Sequence, residues 1–240
     1  MKQIKIAALG DSLTKGVVLN DENRYSILKQ GFINIIGEKL DLCIKNYAKF
    51  GCTIGFGHNV IDRHHDDISS SDYTFLEFGG NDCDFDWRNI AEDPEMEHEP
   101  KTLLETFKEQ FVKLIERVRG LGSHPVIISL PPIDSENYFS FFSRFMDEKQ
   151  KRNVVEWLGG DIGTIYRWHE MYNRMLFEIS EQTQTDIIDI TSPFENYSGG
   201  VRSLLCTDGI HPNEKGHRLI AHSISGVAEC YDKSGTVKVF

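Results

Sequence analysis

The chain has 240 residues and no apolar run approaching the roughly 18 that a membrane-spanning helix needs. Met1 leads straight into Lys2-Gln3-Ile4-Lys5-Ile6, without the apolar core of about 7–15 residues and small-residue cleavage site of a secretory leader. Positive charge is in short supply: 26 Lys and Arg stand against 37 Asp and Glu, for a formal charge of −11. Phosphate backbones and anionic lipid surfaces attract Lys and Arg, so neither nucleic acid nor a membrane is expected as a partner. The five cysteines (Cys43, Cys52, Cys83, Cys206, Cys230) are odd in number and lack C-x-x-C spacing. Free thiols in a reducing compartment are the expectation, and hence a cytoplasmic location. No H-E-x-x-H occurs. His64 and His65 are adjacent and would face different sides of a helix, and His211, His217 and His222 miss i,i+4 spacing. No metal and no cofactor are expected.

What is present is an ordinary globular composition, 40% hydrophobic and 26% charged. A chain this long can bury roughly 70–75% of its unfolded surface without a disulfide or metal staple. Neither a repeat nor a low-complexity linker divides it, so 1–240 reads as one domain. Five short, mostly apolar runs read as strands: Lys2–Leu9, Cys43–Ala48, Tyr73–Phe78, Pro125–Leu130 and Asp186–Ile190. Between and after them lie helical patterns over Tyr25–Leu40, Thr53–His65, Lys101–Leu121, Ile162–Gln182 and Asn213–Glu229. The third is the clearest, with Leu103, Leu104, Phe107, Phe111, Leu114, Ile115 and Val118 on one 3.6-residue face. Strand–helix alternation implies an α/β fold with a parallel sheet covered on both faces. Two excursions interrupt it at strand ends: the acidic 82–100 and the aromatic 133–163. Both read as rim insertions, the second as an active-site wall, an amphipathic helix with an aromatic core face, or both. The tail Thr236–Phe240 reads as a short extra strand.

Parallel sheets bind ligands outside the carboxyl ends of their strands. After the first strand comes Gly10-Asp11-Ser12-Leu13-Thr14-Lys15-Gly16. The Lys and Gly are in the wrong order for a P-loop. Asp11 lacks the second carboxylate that an aspartyl-phosphate site would place two residues on. Ser12 as a nucleophile needs a base from elsewhere, and the Gly-x-Ser-x-Gly elbow is missing because Thr14 occupies the last position. After the second strand, Gly51 offers a bare backbone N–H. Gly79-Gly80-Asn81-Asp82 follows the third, with Asn81 an amide donor. Near the end, Asp208-Gly209-Ile210-His211-Pro212 sets a carboxylate and an imidazole three residues apart, close enough to meet. Asp11 and Asp82 read as structural carboxylates that accept loop N–H bonds.

These four segments, in this order, resemble the SGNH hydrolases, or GDSL esterase/lipase family. The blocks are Gly10-Asp11-Ser12-Leu13, Gly51, Asn81 in Gly-Gly-Asn-Asp, and Asp208-Gly-Ile-His211-Pro, spread from residue 10 to residue 212. The resemblance implies a flavodoxin-like three-layer α/β/α sandwich around a central five-stranded parallel sheet. It implies a carboxylic ester hydrolase in which Ser12 attacks, His211 moves the proton and Asp208 orients His211. Ser12 N–H, Gly51 N–H and the Asn81 amide would hold the oxyanion. The expected substrate is a small or short-chain acyl ester, among them O-acetylated carbohydrates. A non-catalytic ester- or glycan-binding module and a flavodoxin-like cofactor binder stay open on the same fold.

Overall fold

The computed structural model describes residues 3–20 and 22–233. In chain order the elements are β1 (Lys5–Gly10), α1 (Ser12–Lys15), β2 (Val17–Leu19), β3 (Tyr25–Ile27), α2 (Phe32–Lys39), β4 (Cys43–Asn46), α3 (Ile54–Arg63), α4 (His65–Ser69) and β5 (Tyr73–Glu77). They continue with α5 (Trp87–Glu92), α6 (Leu104–Gly120), β6 (His124–Ile128), α7 (Ser135–Phe142), α8 (Glu148–Trp157), α9 (Thr164–Thr183), β7 (Asp186–Ile188), α10 (Thr191–Glu195) and α11 (Glu214–Lys233). Five strands pair in parallel in the order β4-β1-β5-β6-β7. The chain reverses its direction of travel across the sheet at β1, which lies between β4 and β5. Ligands bind at such a reversal.

Strand periodicity sorts the core into layers. In β1, Ile6 and Ala8 face one way, against Phe32, Ile33 and Ile36 of α2 and Ile220 and Ile224 of α11. Ala7 and Leu9 face the other way, against Val60 and Ile61 of α3, Phe107, Phe111 and Leu114 of α6, and Leu176 and Ile179 of α9. Helices on both faces make the three-layer α/β/α sandwich, and each of the five expected strands is in its place.

The helix expected over Tyr25–Leu40 is corrected. Only Phe32–Lys39 is helical, and Tyr25–Ile27 is a strand paired antiparallel with Val17–Leu19. Leu28 N–H donates to Gly16 O at 2.8 Å, so the segment's backbone bonds are spent on the hairpin. A Cβ on Gly31 would lie 3.3 Å from Gly16 Cα, and the two glycines let the hairpin fold back this closely. The two excursions pack on one another. Phe85, Trp87 and Ile90 form a third apolar cluster with Val154, Leu158 and Ile165. The aromatic excursion contains helices α7 and α8, and Phe139 and Phe142 pack against that cluster. The tail Thr236–Phe240 lies outside the described residues. Among those residues, no helix is long and apolar enough to cross a membrane.

Two expected outcomes follow from this packing. Phe107 is fully buried where α6 meets α9, its ring 5.2 Å from that of Tyr172 and 5.5 Å from that of Phe111. Phe107→Ala should lower the unfolding free energy by about 3–5 kcal/mol in urea titrations. Asp82, also fully buried, ties the loop after β5 to the start of α3 by accepting the Ile54 N–H at 3.0 Å. Burial outweighs that bond and pushes its carboxyl up to about 6. The folded protein therefore binds this proton more tightly than the unfolded chain, and stability drains away as pH rises from about 4 through 6. Asp82→Asn keeps an acceptor for Ile54 and removes the charge. Relative to the parent it should gain up to about 3 kcal/mol between pH 4 and pH 7, read from urea unfolding at both values.

Candidate active site

β1 is fully buried along its last five residues and delivers Ser12 to the carboxyl edge of the sheet. Asp11 turns the chain by accepting the Leu13 N–H at 2.8 Å, which caps the four-residue α1. The first N–H groups of a helix have no acceptor within it. Asp11 takes that of Leu13, and the N–H of Ser12 is left for a ligand. Gly10 is required here: a Cβ would lie 2.7 Å from Thr14 Oγ1 and 2.9 Å from Glu77 Oε2.

The second half of the site comes from the other end of the chain. Cys206 N–H donates to His211 O at 2.7 Å and Gly209 N–H to Cys206 O at 3.0 Å, which closes a tight loop. Inside it, Asp208 Oδ1 accepts the N–H groups of Ile210 and His211, and Oδ2 lies 2.7 Å from His211 Nδ1. Asp208 is 0% exposed. Burial alone would raise its pKa, but the hydrogen bonds and charge of His211 outweigh it and the carboxyl sits below its ordinary range. A carboxylate only accepts, so Nδ1 carries a proton and Nε2 of the neutral ring is the acceptor. Nε2 lies 2.9 Å from Ser12 Oγ. The structure thus brings Ser12, His211 and Asp208 into one line of contacts.

Gly209 fixes this loop against the rim. Its φ is 76°, and a Cβ would lie 2.5 Å from Asp134 O and 2.7 Å from Tyr138 N. Asp134 N–H donates to Gly209 O at 2.8 Å. Arg202, just upstream, pairs with Asp134 and with Glu136 of α7. The amino end of α7 and the loop bearing His211 are one packed unit.

Gly51 and Asn81 stand at the ends of the two strands flanking β1, and both line the same cavity as Ser12 and His211. Gly51 has φ 73°, a conformation that favours glycine, and its missing side chain leaves its face open. Asn81 Nδ2 donates to Asp11 Oδ2 at 2.7 Å, so one amide hydrogen is held and the amide plane is fixed, while the second hydrogen stays free. Asp11 and Asp82 both act as the structural carboxylates expected of them.

Several site residues escape a reading by motif. Glu77, at the end of β5, is buried and accepts from Asp11 N–H at 3.3 Å and from Thr14 Oγ at 3.0 Å. Burial first, then the charge of Asp11, push its pKa well up. Its only trace in the sequence is a carboxyl interrupting an apolar strand. Tyr25 and Phe50 flank the His211 ring at 5.2 Å and 5.9 Å, Phe50 nearly parallel to it. Tyr25 stands there because of the hairpin that the helical reading missed. The cavity itself measures about 510 Å³. Tyr138, Phe141, Phe142 and Phe145 of the aromatic excursion wall it, together with Trp87 and Trp168.

The profile of the GDSL-like Lipase/Acylhydrolase family matches residues 8–219. "Uncharacterized lipoprotein YqeF" of Bacillus subtilis (strain 168) is 25% identical over 237 residues, covering 91% of this chain and 87% of its own. A lipase/acylhydrolase from Enterococcus faecalis shares the fold at a TM-score of 0.61 and 17% identity, covering 92% of this chain and 93% of its own. An acetyl-xylooligosaccharide esterase from Geobacillus Stearmophilus does so at 0.58 and 17%, covering 93% of each. The lipoprotein relative overturns the expected cytoplasmic location. Unpaired thiols were a weak guide: Cys83 and Cys206 are buried, and packing shields such thiols in either compartment. The family match spans all four sequence blocks and the fold agrees with it; the chain belongs to the GDSL-like lipase/acylhydrolase family and is a serine hydrolase.

Proposed function

We propose that Ser12 is the nucleophile of a two-step ester hydrolysis, with His211 as general base and acid and Asp208 as its orienting carboxylate. The observation that carries this reading is the unbroken set of contacts from Ser12 Oγ to His211 Nε2, at 2.9 Å, and from His211 Nδ1 to Asp208, at 2.7 Å, opening on a cavity. Ser12 Oγ attacks the ester carbonyl carbon as its proton passes to Nε2. The carbonyl oxygen becomes an oxyanion facing the N–H groups of Ser12 and Gly51 and the free amide hydrogen of Asn81. The imidazolium returns the proton to the departing alcohol and leaves an acyl group on Ser12. Water then repeats the sequence in reverse and frees the acid. Asp208 keeps its charge throughout and stabilises the imidazolium.

The substrate class is a small or short-chain acyl ester. The mixed aromatic and polar lining of the cavity supports this, and the acetyl-xylooligosaccharide esterase among the structural neighbours supports an acetylated carbohydrate. The lipoprotein relative supports action outside the cytoplasm.

Hydrolysis of p-nitrophenyl esters of graded chain length tests the reading. Ser12→Ala should abolish turnover and labelling by a fluorophosphonate, whereas labelling at another residue would overturn it. Asn81→Ala should lower kcat by about 10²–10³-fold with a smaller change in KM, because oxyanion charge develops only as the bond forms. A large KM rise at constant kcat would remove Asn81 from that role. Asp208→Asn should cost less than Ser12→Ala, since it orients the base without entering the reaction.

A further inference from the structure

One buried polar group lining the cavity is not used by the proposed hydrolysis. Ile165, Trp168 and His169 of α9 all line it, spaced i, i+3 and i+4 so that they share a helix face. His169 is 6% exposed, yet no hydrogen bond, ion pair or ring contact to it exists among the described residues. Burial is the sole influence on its titration, and it lowers the pKa to about 4; no protein charge or hydrogen-bonding group acts on the ring. The imidazole is therefore neutral near pH 7, with one donor and one acceptor nitrogen. Nor is it sealed in. The sealed, unpartnered side-chain atoms among the described residues are Ser135 Oγ, His217 Nε2 and Ser225 Oγ, and neither nitrogen of His169 is with them. The residue lines the cavity, and its ring nitrogens keep some accessible surface.

A buried polar group without a partner costs on the order of 1–3 kcal/mol, and such groups are paired in native proteins by protein, water or ligand. His169 shares its helix face with Ile165 and Trp168, and its ring, neutral near pH 7, selects the partner's chemistry. A carboxylate or phosphate there would be a buried charge facing a neutral ring. A hydroxyl both donates and accepts, carries no charge, and matches a neutral imidazole. Trp87 and Trp168 supply aromatic surface in the same cavity, against which the C–H faces of a hydroxylated ring can pack.

We propose that His169 is a specificity-determining residue that hydrogen-bonds a substrate hydroxyl, so that the enzyme selects hydroxylated esters over apolar esters of the same shape. This rests on the Ser12 hydrolase reading and deepens it by naming the group that the substrate carries beside its ester. A site built to pair a hydroxyl rejects the analogue that lacks it, because the site's own polar group is then left unpaired.

The test compares kcat/KM for shape-matched pairs in the wild type, His169→Phe and His169→Gln. In the alcohol arm the pair is 6-O-acetylglucose and cyclohexylmethyl acetate; in the acyl arm it is ethyl glycolate and ethyl propionate. The wild type should favour the hydroxylated member of one arm by about tenfold or more. His169→Phe should bring that ratio to within about twofold of unity while phenyl acetate turnover stays within a few-fold, and His169→Gln should restore part of the preference. Absence of a preference in both arms, or its persistence in His169→Phe, overturns the proposal. If phenyl acetate is not hydrolysed by the wild type, the serine-esterase reading fails separately. Glucose binding followed by tryptophan fluorescence then decides the hydroxyl contact: loss of binding in His169→Phe supports it, and equal binding or none in the wild type overturns it.

Discussion

The 2.9 Å contact between Ser12 Oγ and His211 Nε2 joins residues 199 positions apart. Neither group is reactive by itself: a serine hydroxyl is a weak nucleophile, and an imidazole with nothing to deprotonate does no work. The sheet exists, in functional terms, to make that distance hold. β1 is packed on both faces and paired on both edges, so the residue after it has little freedom. The loop carrying His211 is closed on itself by backbone bonds and backed by the apolar cluster that holds Phe194, Leu204 and Leu205. Chain entropy for so long a closure is recovered only by the cooperative core between the two ends.

Around this contact, buried carboxyls knit the sequence blocks together. Asp11 joins the Ser12 turn to Asn81, Asp82 joins the Asn81 turn to the start of α3 just beyond Gly51, and Glu77 braces Asp11 and Thr14 from β5. Three carboxyl groups in one buried region repel if all are ionised. Burial raises the affinity of Glu77 and Asp82 for protons, which eases that repulsion. Oxyanion donors gain their effect from being fixed before the reaction starts, and in the proposed reaction this network would do the fixing.

The layers and the positions of the candidate site were legible in the sequence for a physical reason. Strands buried on both faces must be apolar throughout, so β1, β5 and β6 stand out, and a parallel sheet puts ligands at predictable strand ends. Ser12, Gly51 and Asn81 follow from that geometry together with the family resemblance. Tyr25–Ile27 was misread because its apolar residues are few and exposed: Tyr25 is 42% and Ile27 61% exposed, so no core burial stamped a strand period on them. Their pairing to Val17–Leu19 is set by two glycines meeting in space, which no local window contains. Glu77 and His169 were passed over for a related reason. Each is a polar residue on an apolar face, and its meaning lies in what faces it across the fold.

Gly209 leaves no room between its backbone and the start of α7, and Asp134 is bonded to it from that side. Phe145, at the far end of the same aromatic segment, is 87% exposed. The segment is thus anchored at one end to the peptide that carries His211, and Phe142 and Met146 on either side of the exposed part pack on the cluster around Trp87. The aromatic wall of the cavity and the imidazole therefore share one support, so a substitution that displaces the amino end of α7 also displaces the loop that aims His211.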